Sequence, residues 1–66
     1  MLISTYFKED TNGARAEVHD TPEGYMIEFY DMNGDFIKSE THHGKSLQWA
    51  ESAAENWTLG IKNLYG

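Results

Sequence analysis

A chain of 66 residues has room for one domain, 1–66, because so small a chain cannot bury enough surface for two separate cores. Its 39% hydrophobic and 24% charged residues, with a single proline, are too apolar for intrinsic disorder and too mixed for a collagen-like or low-complexity chain. Eleven Asp and Glu against five Lys and Arg give a formal charge of −6, whose field repels phosphate backbones and argues against direct nucleic-acid binding.

Turn signals at Asn12-Gly13, Pro22-Glu23-Gly24 and Asn33-Gly34 divide the first two-thirds into short runs rich in β-branched and aromatic residues. Four strands are predicted, near Leu2 to Lys8, Ala14 to Asp20, Tyr25 to Asp31 and Asp35 to Thr41. The linkers are too short for parallel crossovers, so the strands form an antiparallel meander. In the last hairpin, Met32-Asn33-Gly34 suits a three-residue loop with glycine in the left-handed position. That loop sets Phe29 opposite Ile37 and Glu28 opposite Lys38; a two-residue loop would set Phe29 against Lys38 and Ile27 against Glu40, and is disfavoured. The core face then carries Ala14, Ala16, Val18, Tyr25, Ile27, Phe29 and Ile37.

After Gly44 the periodicity changes. Leu47, Ala50, Ala54, Trp57 and Ile61 recur at alternating spacings of three and four, the stripe of an amphipathic helix from about Leu47 to Leu59. Ser46 is its N-cap and Gly60 its terminator. Ala50, Ala53 and Ala54 allow close approach to the sheet, Trp57 anchors the helix in the core, and Gln48, Glu51, Ser52, Glu55 and Asn56 face water. The expected fold class is therefore α+β: a four-stranded antiparallel β-meander with one C-terminal α-helix packed on one face.

One helix covers one face of such a sheet. The other face should carry Met26, Tyr30 and Phe36, with Leu2 or Tyr6 of the first strand, and Trp49 lies away from the helical stripe. Met26, Tyr30, Phe36 and Trp49 are accordingly the expected contacts of a homodimer or higher oligomer, formed through this face or through the sheet edge, with a symmetric dimer as the default.

Sequence motifs nominate no catalytic residue, cofactor or metal ligand. His42 and His43 are adjacent on an extended strand and point to opposite faces, which suits a solvated pair better than chelation, with His19 elsewhere. Asp31-Met32-Asn33-Gly34-Asp35 lacks the order of a calcium loop and reads as a hairpin turn. There is no G-x-S-x-G and no glycine-rich phosphate loop, and a chain this small has little room for a substrate pocket. Cysteine is absent, which removes disulfides, zinc-thiolate sites and thiol catalysis and favours the cytoplasm. No stretch approaches the ~20 apolar residues of a membrane span, and Met1-Leu2-Ile3 does not open a signal peptide.

The segment Lys45 to Ile61, following a Y-D-x-N-G hairpin, resembles small acidic proteins of marine T4-like phages. The resemblance covers the last hairpin and the helix and carries no catalytic motif. It implies a phage accessory protein working in the host bacterial cytoplasm by binding a protein partner. The expected function is thus a small acidic protein-interaction module that self-associates and is not an enzyme. The alternative is a nucleic-acid mimic that inhibits a DNA- or RNA-binding protein, which requires Glu51 and Glu55 to continue an acidic stripe onto the sheet.

Overall fold

A computed structural model describes residues 1–8 and 13–59. Asn12, Gly60 and Ile61, to which the sequence assigns a turn, a helix terminator and the end of the apolar stripe, lie outside these residues. Four strands, β1 (Leu2–Phe7), β2 (Arg15–Thr21), β3 (Gly24–Tyr30) and β4 (Phe36–His42), form one antiparallel sheet in chain order, followed by α1 (Leu47–Thr58). The fold is the α+β meander expected from the turn residues and the change of period.

The core lies between α1 and the inner face of the first three strands. Ala16, Val18, Ile27 and Phe29 are fully buried there against Ala50, Ala53 and Ala54, with Tyr6, Tyr25, Leu47, Trp49 and Trp57 packed around them. The alanines let the helix backbone settle over β2, and Phe29 fills the space they leave, its ring centroid 5.0 Å from that of Trp57. The Ser46 side chain caps the helix by accepting the Trp49 amide at 3.1 Å. Glu51, expected in water, instead accepts a 2.9 Å hydrogen bond from Ser4 Oγ and ties α1 to β1.

The last hairpin corrects the expected register. Its three-residue loop forms as predicted: the Gly34 amide donates to Asp31 O and the Asp31 amide to Asp35 O, each at 2.9 Å, with Gly34 at φ 84°. Asp31 Oδ1 also accepts the amides of Asn33 and Asp35, so this carboxylate belongs to the turn. The register set by the loop survives for Tyr30 opposite Phe36 and is then shifted by a bulge at Ile37. Beyond it Phe29 faces Lys38, Glu28 faces Ser39 and Ile27 faces Glu40, the pairing the sequence disfavours.

Ile37, assigned to the core, is 49% exposed. The physical reason is the position of α1, which packs on β1, β2 and β3, so that an inward Ile37 on β4 would gain little burial. Amphipathic side chains take that flank instead. Lys38 Nζ lies 5.3 Å from the Phe29 ring centroid, and the His42 ring packs edge-on against Trp49 at 4.5 Å. A second bulge falls between Leu2 and Ser4 on β1, so both edge strands are interrupted.

Candidate functional site

The face that α1 leaves uncovered is organised as rows running across all four strands, because residues in antiparallel register share a side. The first row is Phe7, Arg15, Tyr30 and Phe36; the second is Thr5, Glu17, Glu28 and Ser39; the third is Leu2, His19, Met26 and Thr41. In the first, the Arg15 guanidinium sits 4.0 Å from the Tyr30 ring centroid and Tyr30 meets Phe36 edge-on at 5.8 Å. Phe7 is 62% and Phe36 56% exposed at its two ends.

Of the four residues assigned to an association surface, the structure brings Met26, Tyr30 and Phe36 together on this face. Trp49, expected away from the helical stripe, lies on α1 on the covered side of the sheet, partly buried against the core and edge-on to His42, because α1 sits over β2. Leu2 joins the open face as expected, whereas Tyr6 turns inward and Phe7 takes its place.

At the centre of the face is a cluster that sequence motifs did not reveal. Arg15 Nε donates to Glu17 Oε2 at 2.8 Å, and His19 Nε2 lies 3.0 Å from Glu17 Oε1 and 3.3 Å from Glu28 Oε1. Tyr30 OH donates to Glu28 Oε1 at 2.7 Å. One ligand atom each from Glu17, His19 and Glu28 lie within 4.8 Å of one another. The Arg15 hydrogen bond holds the Glu17 carboxyl below its ordinary value, and the bond to Glu28 pushes the Tyr30 phenol up. Legible signals were present: Glu17 and His19 are two apart on one strand and share a face, and the two-residue Pro22-Glu23 turn places Glu28 opposite Glu17. His42 and His43 sit apart from this cluster at the end of β4, with His42 Nε2 3.3 Å from Glu40 Oε1.

On the inner side, burial pushes the Tyr6 phenol up, followed by the field of Glu51; Ser4 hydrogen bonding opposes this and Glu55 adds to it. A phenol whose folded pKa exceeds its unfolded value gives stability that is complete below about pH 10 and is lost as pH rises through the folded value. Denaturation midpoints should therefore fall above about pH 10, and Tyr6→Phe should make that fall shallower. A slope identical to that of the unmodified chain would contradict the assignment.

Comparison with protein-family models, curated proteins and solved structures gives no match. Among the described residues no helix is long and apolar enough to cross a membrane.

Proposed function

We propose that the protein is a small acidic interaction module, without catalytic activity, that self-associates through the open face of its sheet. The observation that carries this reading is the row Phe7, Arg15, Tyr30 and Phe36, which lays aromatic surface across the whole sheet on the side the helix does not cover. Principal extents of 31 × 24 × 16 Å give a broad side on the scale of the ~800 Å² that each partner contributes to a standard interface. The carboxylates within it find partners locally, Glu17 in Arg15 and His19 and Glu28 in His19 and Tyr30, which lowers the cost of covering them. Association through the face is favoured over association through an edge, since a bulge in each edge strand disrupts the row of amides and carbonyls that a neighbouring strand would need.

The mimic reading has less support. The carboxylates of Glu17, Glu28, Glu40 and Glu51 each meet a cation, hydroxyl or imidazole of the same chain and do not form a continuous unpaired stripe. The resemblance to small acidic phage proteins supports a bacterial cytoplasm as the setting of the module, where the same face would also meet a protein partner. Replacing Tyr30 and Phe36 together by Ser should turn an associated species into a monomer and lower its denaturation midpoint, because burial of each large ring contributes about 1.5–3 kcal/mol. Unchanged mass and unchanged midpoint would contradict the proposal.

A further inference from the structure

The structure assigns a second property to the centre of the open face: we propose that Glu17 Oε1, His19 Nε2 and Glu28 Oε1 bind one divalent transition-metal ion of the zinc type. Glu17 and Glu28 are directly opposed on β2 and β3, a like-charge pair that the Arg15 guanidinium on Glu17 offsets in part and that an ion shared by both would offset further. His19 Nε2 stands next to both oxygens, at 3.0 and 3.3 Å. In its neutral form this nitrogen carries at most one hydrogen for two anionic acceptors, whereas an ion in its place is shared by all three groups.

The separations suit such an ion. Zinc bonds of about 2.0–2.2 Å put neighbouring ligands of a tetrahedron about 3.3–3.6 Å apart. The two distances to His19 are already close to this, and all three atoms lie within 4.8 Å, so small carboxylate rotations complete the set. A fourth position would be left to water.

Outer contacts hold the ligands in place. Arg15 occupies the other oxygen of Glu17 and so orients Oε1 towards His19. Tyr30 OH uses one lone pair of Glu28 Oε1 and leaves the second for the ion. An imidazole with two carboxylates selects zinc, cobalt or nickel over calcium and magnesium, which require all-oxygen shells.

All three ligands come from one chain, so the site does not depend on self-association; a monomer that binds zinc would separate the two proposals. The test is calorimetric titration of the intact chain with zinc chloride, repeated with calcium and magnesium chlorides. One zinc per chain is expected, with calcium and magnesium far weaker. His19→Ala and Glu28→Gln should each weaken zinc by about tenfold or more, since loss of an outer-shell contact alone costs that much. His43→Ala should leave it unchanged. Should either variant fail to fold, the histidine ring resonances of the unmodified chain decide, because zinc must shift those of His19. Absence of zinc binding, binding that survives loss of His19, loss of binding in His43→Ala, or shifts confined to His42 and His43 would each overturn the site.

Discussion

Replacing Phe29 by alanine is expected to cost about 3–5 kcal/mol, the range for deleting a fully buried aromatic side chain. Phe29 is 0% exposed, lies beneath Ala50, Ala53 and Ala54, and is the largest fully buried side chain among the described residues. The alanines cannot extend into the space it would leave, and a helix held by one stripe has little freedom to collapse onto the sheet. A domain of this size has only about 3–10 kcal/mol of stability, so the variant should lose a large share of it, read by circular dichroism as a strongly lowered denaturation midpoint. Trp57→Ala should cost less, about 2 kcal/mol, because Trp57 is only half-buried although its ring packs on Phe29. Equal effects at the two positions would contradict the placement of the core centre at Phe29.

The second large effect is expected at Gly24. It sits at φ 133°, and a Cβ there would come within 2.8 Å of the backbone oxygen of His42, which cannot yield without moving β4. Gly24→Ala should therefore cost about 2–5 kcal/mol, combining backbone strain with overpacking. Gly34 provides the comparison. Its φ of 84° is also left-handed, but a Cβ there meets nothing within 4 Å, so Gly34→Ala should cost only about 1–2 kcal/mol. Chemical denaturation of the two variants tests the ranking, and a Gly34 variant weaker than the Gly24 variant would contradict the close approach of β4 to the second turn.

Those glycines also mark what the sequence made legible. Gly24 and Gly34 close polar turn segments between strands, and each turn they announce is present, as is the helix whose stripe begins at Leu47 and is capped by Ser46. Pairing is harder to read, because bulges carry no distinctive residue: Ile37 is β-branched, suits a regular strand, and yet is the residue that shifts the register. With Ile37 misplaced, the flank of β4 reads as core although Lys38, Glu40 and His42 occupy it. The packing of Trp49 against the core is hard to read for a related reason. A helical wheel gives its angle from the stripe but not where the helix axis lies, and an axis over β2 brings this angle onto His42. The Glu17, His19 and Glu28 cluster was reachable by counting back from the Pro22-Glu23 turn, but no motif names it, since its ligands come from two strands.

Self-association through the open face is tested most directly by sedimentation equilibrium of the unmodified chain at micromolar concentration. The arrangement of Phe7, Tyr30 and Phe36 predicts a species of at least twice the 7.6 kDa chain mass that shifts towards monomer on dilution. A stably folded species of 7.6 kDa across that range would contradict it.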